Sequence, residues 1–248
     1  MKRLEGRRAL VTGGSRGIGK GVALALAEDG ADVVIGFRRA QEQAEAVVRE
    51  VQRRGRRSAA FAADVRNAEA VHALVADARE ALGGLDIVVA NAGVATRFEP
   101  LHEVDPGYFA RVVQIDLYGV FHTLHAAIPV LRAQGAGVVL SVSSIAADAC
   151  EANGGPYVAA KAAVNALTRV AARENAAHGI RCNAIAPGLI ETDMAEGMRR
   201  ARGAALERSV PLGRIGTPQE VGRLAAYLAS DDAAWITGKV FRIDGGQV

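Results

Sequence analysis

Short apolar runs alternate with longer Ala-rich stretches of helical period along almost the whole chain. RALVT (8–12), DVVIGF (32–37), SAAFAA (58–63), LDIVVA (85–90), GVVLSV (137–142), IRCNAIA (180–186) and KVFRI (239–243) read as strands. They are apolar throughout rather than alternating, which predicts a sheet covered on both faces. The intervening periodicity predicts helices over 17–29, 42–54, 68–82, 106–133, 157–177, about 193–208 and 218–229. Gly30, Gly55 and Gly83 stop the first three, and Asn67 caps the third. Crossovers of this length connect parallel strands. The expected fold class is therefore α/β: a Rossmann-like, doubly wound sheet of seven parallel strands with helices on both faces, in a single domain over 1–248. No internal repeat, low-complexity tract or linker interrupts it.

Composition narrows the function classes. The 248 residues suffice for one large α/β domain with a substantial core, and a chain half hydrophobic but 4% aromatic suits close helix–sheet packing. The charge of 30 − 27 = +3 is mild and scattered, which argues against nucleic acid as a partner. Arg53, Arg54, Arg56 and Arg57 close a helix, where cations suit the macrodipole. Arg199, Arg200 and Arg202 are candidates for meeting an anionic substrate, against a plain solvated helix face. Cys150 and Cys182 have no CxxC spacing, so no disulfide or metal framework is expected. His72, His102, His122 and His125 have no third ligand at matching spacing. The start lacks a signal-peptide apolar region and no run reaches membrane-spanning length, so a soluble cytoplasmic protein is expected.

Candidate chemistry sits at the strand ends. TGGSRGIGKG follows the first strand and opens a helix, with Gly13, Ser15, Arg16, Gly17, Ile18 and Gly19 as candidate phosphate-binding residues. Glycine lets such a turn tighten and its backbone approach a pyrophosphate, while the helix N-terminus supplies free N–H groups. An NAD site places a carboxylate near the end of strand two. Here that end reads GFRRA: Phe37 takes the acidic place, followed by Arg38 and Arg39. Guanidinium groups from Arg16, Arg38 and Arg39 favour a 2′-phosphate, hence NADP(H) as cofactor. Asp64–Val65 after strand three and Asn91–Ala92–Gly93 after strand four lie at the carboxyl edge, where ligands of doubly wound sheets bind.

Ser144 lies just past strand five, and Tyr157 and Lys161 follow one helical turn apart, on one face. A neighbouring ammonium stabilises a phenolate, which suits a phenol to proton transfer near neutrality. The pair alone reads more readily as an exposed surface pair; the rest of the chain changes that.

TGGSRGIG, ANAG, Ser144, Tyr157-x-x-x-Lys161, Pro187–Gly188 and the closing IDGG (243–246) stand in the order and spacing of short-chain dehydrogenases/reductases. The chain resembles that family over essentially its whole length. APGLIETDM (186–194) is most similar to the bacterial 3-oxoacyl-(acyl-carrier-protein) reductase type. The resemblance implies an NADPH-dependent ketoreductase acting on a 3-oxoacyl thioester or related ketone. Tyr157 would protonate the carbonyl oxygen, Ser144 would hydrogen-bond it, and Lys161 would bind the nicotinamide ribose and favour the phenolate. Asn91 and Gly93 would support the cofactor, Asp64 would touch adenine, and Pro187, Gly188, Ile190 and Thr192 would meet the nicotinamide end. A substrate lid is implied at about 194–211, with Gly197 and Gly203 giving mobility, and selectivity would lie there and in 147–153. The family's central and catalytic helices imply a homotetramer.

Two departures stand out. DLYGVF puts Asp116 where the family carries an Asn that helps hold a water between the Lys and solvent. Asp116 would keep the main-chain role but add negative charge, so activity is expected to be retained and altered. The regions matched to acyl-carrier-protein docking, RAQGAG and NAAHGI, offer only Arg132 and His178 as positive groups. The alternatives are an alcohol or polyol dehydrogenase of the same family, or a non-catalytic NADP(H)-binding protein.

Overall fold

The computed structural model describes residues 2–95, 97–195 and 203–248. The first half runs β1 (Arg8–Thr12), α1 (Gly17–Glu28), β2 (Asp32–Phe37), α2 (Gln41–Gln52), β3 (Ser58–Ala62), α3 (Ala68–Leu82), β4 (Ile87–Ala90), α4 (Pro106–Val113) and α5 (Gly119–Gln134). It continues with β5 (Gly137–Val142), α6 (Ala146–Ala149), α7 (Gly155–Asn175), β6 (Ile180–Pro187), α8 (Ala204–Arg208), α9 (Pro218–Ala229) and β7 (Val240–Ile243). Among the described residues the sheet has seven strands, all parallel, in the order β3-β2-β1-β4-β5-β6-β7.

Strand geometry sends successive side chains to opposite faces, and the core obeys it. Val34, Leu10, Val88, Val139 and Cys182 lie side by side across five strands and face α3, α5 and α7. Ile35, Val11, Val89 and Leu140 form the opposite row, against α1, α2 and α9. Both rows are buried, which is why every strand had to be apolar without alternation. On the second face Gly21 and Gly222 let α1 and α9 pack backbone against backbone, because a Cβ on either would strike the other helix or its first residue, Pro218.

The helix ends follow their local chemistry. Asn67 accepts a hydrogen bond from the Ala70 N–H, and Gly83 closes the helix in the left-handed region. Asp105 caps α4 ahead of Pro106. Thr217 and Glu220 form a reciprocal capping box on α9. Thr217→Ala is expected to lower unfolding stability by about 1 kcal/mol in urea titrations; an unchanged midpoint would refute that role.

The structure departs from the sequence reading in several places. LDIVVA pairs only from Ile87, since Leu85 and Asp86 lead into the strand. Arg54 does serve a helix end, donating to the Glu50 carbonyl, but Arg56 and Arg57 leave the helix to pair with Glu5 and Asp32. The 106–133 stretch is not one uniform helix: Gln114–Tyr118 forms a π-helical turn between α4 and α5. A single-turn π segment shifts the residues after it around the axis, and a 3.6-residue hydrophobic pattern does not reveal it. Of the 193–208 helix, 193–195 and α8 are helical; Gly197, Arg199, Arg200 and Arg202, with the 196–202 part of the expected lid, lie outside the described residues. No helix among the described residues is long and apolar enough to cross a membrane.

Candidate active site

Strand order reverses between β1 and β4, so the loops after these strands leave toward opposite sides and open a crevice at their carboxyl ends. Two side chains build its wall. Thr12 Oγ1 accepts from the backbone N–H groups of Asn91 and Ala92 at 3.0 and 3.2 Å. Asn91 Nδ2 donates back to the carbonyls of Thr12 and Gly13 at 2.9 and 3.2 Å. The glycine-rich loop is thereby clamped onto the end of β4. Gly19 is obligatory in this clamp: a Cβ there would overlap the Gly13 carbonyl and lie 2.5 Å from Asn91 Nδ2. No side chain caps the N-terminus of α1, so its first amides face the crevice as an anion site.

Every described residue that the sequence assigned to the catalytic set or the cofactor lines one of two adjoining hollows along this edge. The smaller, about 180 Å³, is bounded by Gly13, Ser15, Arg38, Arg39, Asp64, Val65 and Ala92. The larger, about 1040 Å³, is bounded by Gly17, Ile18, Gly19, Asn91, Asp116, Ser144, Tyr157, Lys161, Pro187, Gly188, Ile190 and Thr192. Arg16, Gly93 and Val94 border both, so the two form one continuous groove. Its far end turns apolar, with Phe98, Ile145, Leu189, Met194, Leu206 and Val248.

In the smaller hollow Arg38 and Arg39 are exposed. Asp64 is gripped by Arg66 through both carboxylate oxygens, and that hydrogen bonding holds its carboxyl below the usual range. Arg16 pairs with Asp193 at 3.1 Å, both 70% exposed. A pair so open to water is worth at most about 1 kcal/mol, so it leaves the guanidinium free to turn to a ligand.

In the larger hollow α7 carries Tyr157 half-buried at its first turn and Lys161 buried one turn on. Lys161 Nζ stands 5.5 Å from the centre of the Tyr157 ring and donates to the Val142 carbonyl at 3.0 Å. Ser144 follows β5, its Oγ accepting from the Ala146 N–H that starts α6. The loop after α6 holds Cys150 and Asn153 at positive φ, and the Asn153 carbonyl accepts from the Glu99 N–H, tying the two loops at the apolar end together.

The π turn delivers Asp116 into this site. Its carboxylate faces Lys161 Nζ at 3.3 Å and accepts from the Val94 N–H, with both side chains shielded from solvent. Burial lifts the Asp116 carboxyl above the ordinary range, opposed by the Lys161 charge and the Val94 N–H. Burial pulls Lys161 down, but the charges of Asp116 and Tyr157 outweigh it and leave the ammonium above its ordinary value.

Residues 13–247 match the family model described as Enoyl-(Acyl carrier protein) reductase. The chain is 42% identical to the cis-4-hydroxycyclohexanecarboxylate dehydrogenase of Sinomonas cyclohexanicum, over 97% of this chain and 96% of that one. It is 38% identical to a 3-oxoacyl-(acyl-carrier-protein) reductase of Staphylococcus aureus, over 97% of each. A short-chain type dehydrogenase/reductase from Mycobacterium marinum superposes with a TM-score of 0.93 at 35% identity, covering 99% of this chain and 96% of that one. The chain belongs to the short-chain dehydrogenase/reductase family. It is therefore an oxidoreductase of the CH–OH/C=O type, and relatives of this family use nicotinamide cofactors.

Within this short-chain dehydrogenase/reductase, sequence reasoning missed Thr12, Arg66 and Asp193. Arg66 carried a local signal, two residues beyond Asp64. Thr12 carried a weaker one, the last strand residue before the glycine run. Asp193 carried none, being 177 residues from Arg16. His122 and His125 part company: His122 Nδ1 meets the Val65 carbonyl, whereas His125 Nδ1 lies 3.0 Å from His72 Nε2 on α3. Both thiols are free of disulfides; Cys150 Sγ donates to the Ala147 carbonyl, and Cys182 sits in the sheet, where burial pushes its thiol up to about 12.

Proposed function

We propose that the protein is an NADP(H)-dependent carbonyl reductase and secondary-alcohol dehydrogenase. The observation that carries this reading is the placement of Tyr157, Lys161 and Ser144 on the same groove as the clamped glycine loop. The groove suits a dinucleotide: the α1 amides are open at its middle, and Gly13 and Gly19 leave the space a Cβ would fill. The cofactor supplies the hydride. Lys161 holds the ribose end, Tyr157 donates the proton to the substrate oxygen through its hydroxyl, and Ser144 Oγ orients that oxygen. Thr192 packs against Gly17, and with Pro187, Gly188 and Ile190 it borders the nicotinamide end.

The phosphate preference rests on the end of β2. Phe37, Arg38 and Arg39 line the smaller hollow there without a carboxylate, and Asp64 opposite them is neutralised by Arg66. NADPH is expected to bind at least about tenfold more tightly than NADH, and Arg38→Leu to weaken NADPH by about 10–100-fold while leaving NADH nearly unchanged. Fluorescence titration of both cofactors measures this; tighter NADH binding would sink the reading.

For the substrate, the apolar far end favours a small ketone or alcohol with a hydrophobic body. The cyclic alcohol in one relative's name and the 3-oxoacyl group in the other's are the two classes to compare. Arg132, a candidate for carrier-protein docking, instead donates to Asn175 and the Glu174 carbonyl, joining α5 to α7. That favours a free or CoA-bound substrate over a carrier-bound one. NADPH consumption with acetoacetyl-CoA, a carrier-bound acetoacetyl group, diketones and cyclic ketones including 4-oxocyclohexanecarboxylate separates these classes. Exposed Tyr118 and Phe121 near the start of α5 support a homotetramer assembled through that helix.

A further inference from the structure

The Lys161 ammonium has two demands on its charge. Asp116 Oδ1 stands 3.3 Å from Nζ, and the centre of the Tyr157 ring lies 5.5 Å from it. Asp116 is held there from three directions. The π turn sets its backbone, and the Val94 N–H reaches both its oxygens at 3.3 and 3.2 Å. Gly93 presents no Cβ, which would otherwise come within 2.6 Å of Oδ1. Asp116 from the π turn and Tyr157 from α7 itself are the titratable groups whose charges act on Lys161. The β4 loop faces the pair with the Val94 N–H, and β5 with the Val142 carbonyl.

We infer that Asp116 is a positioning residue that sets the pH at which Tyr157 takes up and releases its proton, by pairing with the Lys161 charge. The inference rests on reading Tyr157 as the proton donor. With Asp116 ionised and the phenol protonated, the cluster of three side chains is neutral, and losing a proton makes it −1. With a neutral residue at 116 it starts at +1, and losing a proton makes it neutral. Creating net charge in a buried site is penalised and removing it is favoured. With Lys161 charged in both proteins, the Tyr157 proton therefore leaves at lower pH once the carboxylate is gone. A unit charge at this range in a partly hydrated interior corresponds to about one to two pH units.

The test is a pH titration of the cofactor-free protein by the ultraviolet difference signal of tyrosinate, with Tyr157→Phe as the blank for the other tyrosines. In Asp116→Asn the Tyr157 signal is expected about one to two pH units lower than in wild type. The acid limb of the alcohol-oxidation profile should move the same way. Asp116→Ala, which also removes the charge but not by an isosteric change, should shift in the same direction. This guards against an effect of the amide alone and serves if the Asn variant folds poorly. A Tyr157 signal that stays put or moves to higher pH in the folded variants overturns the inference. If the signal shifts but no ketone or alcohol is turned over, the reductase reading fails and the role of Asp116 stands.

Discussion

Tyr157→Phe is expected to reduce kcat by about a thousandfold, within the range of about 10²–10⁴ that general acid–base catalysis contributes. The change removes one oxygen and keeps the ring, so α7 and the contact with Lys161 should persist. The loss should therefore fall on kcat and kcat/KM together, with NADPH affinity within about threefold of wild type, the pattern of an interaction made only in the transition state. Substrate binding is spread over the rest of the groove, from Ser144 to the apolar residues at its far end. Single-turnover measurement of NADPH oxidation separates the chemical step from release. Turnover within tenfold of wild type would remove Tyr157 from the chemistry.

Gly19→Ala should have the second largest effect, and for a reason independent of cofactor identity. The new methyl group would overlap the Gly13 carbonyl and press on Asn91 Nδ2. Neither neighbour can swing away. Gly13 is backbone, and Asn91 is tied by two hydrogen bonds to the same loop. The loop must therefore lift from β4 or the helix must shift, at a cost of about 1–3 kcal/mol, the usual range for overpacking. Either movement spoils the approach of backbone amides to a pyrophosphate. NADPH affinity is expected to fall by about 10–100-fold, with a parallel loss of stability in urea. Unchanged affinity would mean that the loop does not cradle the cofactor.

The residues that were easiest to find share a property: their signals are short-range. Gly13, Gly17 and Gly19 stand within seven residues, Tyr157 and Lys161 one helical turn apart, and Arg38 and Arg39 directly after an apolar strand. Each pattern is set by backbone geometry over a few residues. Asp116 shows the opposite case. Its type was visible in DLYGVF, and its departure from the family pattern was visible too. Its contact with Lys161, 45 positions later in the chain, was not, because the π turn that aims it leaves no mark in hydrophobic periodicity.

The sequence by itself determined the strand–helix alternation, the parallel sheet and the chemical type of nearly every groove residue. Burial on both faces and tight strand–helix turns constrain which residues are tolerated position by position. Tertiary structure alone decided the partnerships: Asn91 with the glycine loop, Arg16 with Asp193, His125 with His72, and Asp116 with Lys161. These join segments brought together only when the sheet assembles, and the contact energy depends on distances that no local pattern encodes. For Lys161 the difference is chemical, since a buried carboxylate beside it changes how its charge acts on Tyr157.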